Sequence, residues 1–105
     1  MNNLSILYKK EGSETKAFLK GALVSLAALD LKSMLYQKVI TDEKLVVDLT
    51  DVTDIDTTGV NTLFQTQMHC DSVNTHMVLK CQTNHPINHL LKLTHSTNQF
   101  EIEMA

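Results

Sequence analysis

Basic side chains are missing from the middle of this chain. No Lys or Arg lies between Lys44 and Lys80, whereas Asp48, Asp51, Asp54, Asp56 and Asp71 all fall there. That stretch carries −5 of a total formal charge of −3, so the remainder is close to +2. The net charge gives the surface as a whole no electrostatic reason to seek nucleic acid or anionic lipid. The uneven distribution predicts one acidic end, whose partner is neutral or basic there. No apolar run approaches the about 20 residues needed to span a bilayer, which argues against direct membrane insertion. The opening MNNLSILYKK lacks the basic-then-apolar order of an export signal. Two cysteines, Cys70 and Cys81, do not make a disulfide framework. With no export signal they are expected to be reduced, buried thiols in a cytoplasmic protein. There is no internal repeat, low-complexity tract or linker, and 105 residues suffice for one core but not two, so the expectation is a single domain over 1–105.

Hydrophobic periodicity then orders the elements. LSILYKK (4–10) and KAFLKGALV (16–24) are β-leaning runs separated by the polar Glu11-Gly12-Ser13-Glu14, which predicts a hairpin. From Leu26 to Val39 the period changes: Ala28, Leu31, Leu35 and Val39 form one helical stripe, ended by Thr41-Asp42-Glu43-Lys44. Leu45-Val46-Val47-Asp48-Leu49 is a compact apolar strand suited to the centre of a sheet. An acidic loop follows, then a helix over about 58–70 with Val60, Leu63, Phe64 and Met68 facing inward. Met77-Val78-Leu79 predicts the next strand. Pro86 opens a further helix carrying Ile87, Leu90, Leu91 and Thr94, and Phe100-Glu101-Ile102-Glu103 a short last strand. The order ββαβαβαβ predicts an α/β fold: a mixed sheet of four or five strands flanked by about three to four helices.

The junction Asp56-Thr57-Thr58-Gly59 carries the functional interest. Asp and Thr cap helices because a side-chain oxygen accepts from an unpaired amide of the first turn, and either Asp56 or Thr57 fits. Gly59 admits close approach of another backbone. Capping alone explains such a string. The same geometry also presents a hydroxyl where backbone donors and the helix dipole favour an added phosphate. Phosphorylation there adds about −1.5 to −2 charge beside Asp54 and Asp56. It leaves the domain folded and changes what its surface accepts. Asp48 has a plainer role, holding backbone amides of the loop that follows it.

The wider pattern resembles the STAS domain, the fold of bacterial anti-sigma factor antagonists. Its signature is matched by Asp48-Leu49, Val52, Ile55-Asp56-Thr57-Thr58-Gly59 and Val60. Lys20-Gly21-Ala22-Leu23 is similar to the family's early "L-x-G-x-L", Asn84 to Thr94 to its "N-x-x-V-x-x-L-L-x-L-T" helix, and Phe100-Glu101-Ile102 to its closing strand. The resemblance implies that Thr57 is the phospho-acceptor. It implies as partners a serine/threonine kinase or anti-sigma factor with a histidine-kinase-like ATPase fold, and a metal-dependent serine/threonine phosphatase that resets the switch. Asp54, Asp56, Thr57, Thr58 and Gly59 would form the partner-binding turn. Val24 and Ser25 stand at the kinase-contacting loop, where many antagonists place an acid. Two further departures are Thr57, where Ser is commoner, and Asp71 to Thr75, which replaces a glycine-rich turn.

An alternative within the resemblance is the STAS subunit of a phospholipid-trafficking ABC transporter, which binds its ATPase without phosphorylation. Other chemistry is poorly supported. His69, His76, His85 and His89 lack the spacing of a zinc site. The aspartates lack the glycine and distal glutamate of a calcium loop. Asp54 and Asp56 have no argued nucleophile or cleft. The expectation is a binding protein, not an enzyme, with no cofactor and no metal.

Overall fold

The computed structural model describes residues 4–82 and 100–104. Along the chain lie β1 (Ser5–Glu11), β2 (Glu14–Leu23), α1 (Ser25–Tyr36), β3 (Lys44–Ile55), α2 (Thr57–Ser72), β4 (His76–Cys81) and β5 (Glu101–Met104). Gly12, at φ 60°, lets the chain reverse, so that Glu11 pairs with Glu14 in an antiparallel hairpin. Every later strand is parallel to its neighbour, in the order β1-β2-β3-β4-β5. Parallel pairing requires crossovers, and α1 and α2 supply two of them. The architecture is the expected mixed α/β sheet. The helix expected over Asn84 to Thr94 lies outside the described residues.

Strand alternation explains the core. Leu45, Val47 and Leu49 of β3, Met77, Leu79 and Cys81 of β4, and Ala17 and Leu19 of β2 belong to one buried cluster. Ala28, Leu31 and Leu35 from α1 and Val60, Leu63 and Cys70 from α2 belong to the same cluster. Each fully buried leucine contributes about 1.5–3 kcal/mol. The two helices are fastened together as well. Thr62 Oγ1 donates to the Ala28 carbonyl at 2.9 Å and the Tyr36 hydroxyl to the Gln65 carbonyl at 3.2 Å, and the Tyr36 ring stacks on His69 at 4.4 Å.

Three expectations are corrected. The first helix ends at Tyr36, so Val39 lies beyond it, half-buried. Met68 is 57% exposed, not inward. The inner stripe of α2 instead includes Thr62 and Thr66, whose hydroxyls are satisfied by the Ala28 and Thr62 carbonyls; that is how polar residues occupy core positions without cost. Finally, the supposed acidic loop after Leu49 is strand. Register shifts between Phe18 and Lys20 and between Gly21 and Ala22 let β3 continue to Ile55 along β2. Val52 turns inward there, while Asp51, Thr53 and Asp54 face solvent.

Candidate functional site

Because β2 and β3 run parallel, they deliver their following helices side by side. Leu23 pairs with Ile55, and the Asp56 amide donates to the Leu23 carbonyl at 3.4 Å. Asp56 is the N-cap of α2. Its Oδ1 accepts from the Gly59 amide at 2.9 Å, and its Oδ2 accepts from the Ser25 amide at 3.1 Å. One carboxylate therefore serves the starts of both helices. The first needs that help: its N-cap is Val24, which offers no side-chain bond. Ser25 also holds the left-handed φ of 51°, which an L-residue adopts at a cost.

Gly59 is forced by this closeness. A Cβ there would lie 2.3 Å from the Leu23 carbonyl oxygen and 2.8 Å from Ile55 Cγ1, so the expected close backbone approach is observed. Of the two residues that could cap, Asp56 does so. Thr57, at the first position of the helix, is exposed and Thr58 half-buried. Val24 is half-buried and Ser25 exposed. Asp54 is exposed, with the Thr53 hydroxyl at 3.5 Å from its carboxylate. The structure thus gathers Val24, Ser25, Asp54, Asp56, Thr57, Thr58 and Gly59 at one pole of the sheet.

It does not gather all the acids. Asp48 is buried inside β3 rather than at a strand end, and its Oδ1 accepts from the Thr50 amide at 2.9 Å and the Thr50 hydroxyl at 2.7 Å. It holds one amide, that of Thr50, but within the strand: the following loop whose amides it was expected to bind is itself part of β3. Asp71 lies at the far pole, where it lines a hollow with Asp42, Glu43 and His76. The single acidic end read from the sequence is therefore two. Sequence reading also passed over Leu26 and Leu29, which are 75% and 53% exposed. The signal was available, because a helix that buries Ala28, Leu31 and Leu35 turns positions 26 and 29 outward.

Cys70 and Cys81 are fully buried and free. Burial first, then Asp71 for Cys70 and Asp48 for Cys81, push both thiols up to about 11. They remain protonated and unreactive at neutral pH. His69 is engaged with Tyr36, and His76 Nε2 lies 2.9 Å from Glu101 Oε1. His85 and His89 lie outside the described residues. Among the described residues no group of three or more His, Cys, Asp or Glu is placed to hold a metal ion, and no helix is long and apolar enough to cross a membrane.

A search of curated proteins finds no significant match to the chain. Solved structures do resemble it in fold. One is the crystal structure of an anti-sigma factor antagonist from Mycobacterium paratuberculosis, with a TM-score of 0.85 and 15% identity, covering 98% of this chain and 87% of that one. Another is the anti-sigma factor antagonist SpoIIAA in its unphosphorylated form, with a TM-score of 0.74 and 10% identity, covering 95% of this chain and 89% of that one. The sequence itself matches the family profile described as STAS domain across residues 8–104. On that match, the chain belongs to the STAS domain family.

Proposed function

We propose that the chain is a regulatory protein-interaction module of the anti-sigma factor antagonist kind, switched by reversible phosphorylation of Thr57. It acts by binding rather than by catalysis. Its partners are a serine/threonine kinase or anti-sigma factor with a histidine-kinase-like ATPase fold, and a serine/threonine phosphatase that restores the unmodified form. One observation carries the reading: Thr57 is exposed at the first position of α2 while Asp56 does the capping. A hydroxyl not used as the cap is free for an enzyme to reach. The amides of Thr57 and Thr58, at the first two helical positions, are among those a helix leaves unpaired by its own carbonyls. The helix dipole favours a phosphate there. Asp54 and Asp56 nearby make the added charge one more anion on an acidic surface, which a partner tolerant of the unmodified turn would reject.

The test is incubation with ATP and a candidate kinase from the same genome, followed by mass spectrometry to locate any phosphate. Modification is expected on Thr57, and Thr57→Ala should abolish it while still binding the kinase. Phosphate found only on Thr58, or none at all with kinases that bind the chain tightly, would overturn the reading. The second outcome points to the non-phosphorylated use of the same pole, as in a transporter subunit.

A further inference from the structure

We infer that the edge of β1 is a self-association surface, where a second copy of this chain pairs antiparallel about Leu7 and makes one continuous sheet of the two. Among the described residues the strand order leaves two edges, β1 and β5. Proteins blunt such edges with short strands, charges and bulges. The β5 edge is blunted: it is four residues long, with Glu101 and Glu103 alternating along it. The first half of β1 is not. Ser5-Ile6-Leu7-Tyr8 holds no charge and no proline, pairs with β2 without a bulge, and exposes Leu7 at 70%.

Backbone geometry fixes what this edge offers. Gly12 and Ser13 make a two-residue turn, so Glu11 and Glu14 close it as a hydrogen-bonded pair. Alternation then directs the amides and carbonyls of Ser5, Leu7 and Lys9 to β2, and those of Ile6, Tyr8 and Lys10 outward. A two-fold axis at Leu7 sets Ile6 opposite Tyr8 of the second copy, and both present the outward groups that such a pair exchanges. Leu7 then meets Leu7 in a non-hydrogen-bonded pair, where Cα atoms approach to about 4.5 Å. Leu7 is in register with Phe18, so the two leucines complete an apolar strip on the sheet face away from the helices. On the other face Ile6 and Tyr8 already pack against the core, and their pairing extends it. Charge selects a second copy over other partners. Lys9 lies 3.1 Å from Glu11 and Lys10 lies 2.8 Å from Glu43, so the edge has little net charge to attract nucleic acid or an acidic peptide. About Leu7, Lys9 stands opposite Ser5 and Lys10 opposite Leu4, so no like charges meet. An axis at Tyr8 instead would set Leu7 against Lys9 and Ile6 against Lys10, losing the apolar pairs.

One strand pair buries less than a standard interface, so the dimer is weak and concentration-dependent. Sedimentation equilibrium of the full chain should show the average mass rising from one copy toward two between about 10 μM and about 1 mM. Leu7→Lys sets cations face to face at an exposed position. It should weaken association about tenfold or more and leave the melting temperature unchanged. Leu7→Cys, oxidised with glutathione disulfide, should give a cross-linked dimer about tenfold faster than Ser5→Cys, whose counterpart in this register is Lys9. The native cysteines do not compete, because both are buried. A chain that stays monomeric across that range would overturn the inference, whatever other protein then occupies the edge. So would undiminished dimerisation of Leu7→Lys, equal cross-linking of Ser5→Cys, or a dimer lost in Met104→Lys but kept in Leu7→Lys, which would place the contact at β5. Self-association and the Thr57 switch use different residues, so either stands if the other fails.

Discussion

The two poles of the sheet are both acidic, yet they treat their acids differently. At the pole where β3 and β4 begin, charge is compensated. Glu43 pairs with Lys10 at 2.8 Å and Glu14 with Lys44 at 3.5 Å, and Glu101 Oε1 lies 2.9 Å from His76 Nε2. Asp71 accepts from Gln67 Nε2 at 2.9 Å, and Asp42 from Asn74 Nδ2. Asp42 and Asn74 take left-handed φ values of 64° and 59°, which suit short polar side chains in turns. At the pole where β2 and β3 end, Asp51 and Asp54 are exposed and form no ion pair among the described residues, Lys20 standing across from Asp51 in the strand register, and only Asp56 is fully occupied. Acids that are already paired hold turns together. Acids left unpaired raise the local potential and are available to something else.

The sharpest contrast is between glycines. Gly59→Ala would place a methyl 2.3 Å from the Leu23 carbonyl and prise α2 from the end of β2, at an expected cost of about 3 kcal/mol or more in denaturant unfolding. Gly12→Ala at the far pole meets nothing within 4 Å and should cost only the about 1–2 kcal/mol of its positive φ. Equal losses would mean that the junction of β2 and α2 is looser than described. Next, Thr57→Glu should weaken kinase binding by about 100-fold, or about 2.7 kcal/mol, with circular dichroism and melting unchanged. An unchanged dissociation constant would remove the functional distinction between the poles.

A smaller effect is expected at the shared carboxylate. Asp56→Asn keeps an oxygen for the Gly59 amide but turns an NH2 group toward the Ser25 amide, donor against donor. A loss of about 1 kcal/mol is expected, together with faster hydrogen exchange at Ser25; protection of that amide in the variant would show that α1 starts without the bond. Smallest of all, Glu43→Gln removes a partly exposed ion pair. It should shift stability by about 1 kcal/mol or less and leave partner binding untouched. A binding loss there would move the docking surface to the compensated pole.

Much of this was legible before folding. The short apolar run Leu45-Val46-Val47-Asp48-Leu49 marks a buried strand whatever surrounds it, because run length and composition are local properties. The stripe Ala28, Leu31, Leu35 marks a helix for the same reason, and the acid-hydroxyl string at 56–58 marks a helix start. Other features were not legible. Thr62 and Thr66 look like surface residues until carbonyls of α1 and α2 are found to accept from them. Met68 looks like core until those threonines occupy its place. Asp51 to Ile55 look like loop until a register shift in β2 supplies their pairing.

What the sequence determined by itself is therefore the type and order of the elements among the described residues, and the fact that a hydroxyl stands beside acids at a helix start. These depend on neighbours within one or two turns of chain. Which oxygen caps that helix, and that Ser25 and Asp56 meet across 31 positions, depended on parallel pairing of β2 with β3. A contact between distant segments forms only when the sheet sets their register, and no local periodicity encodes that distance.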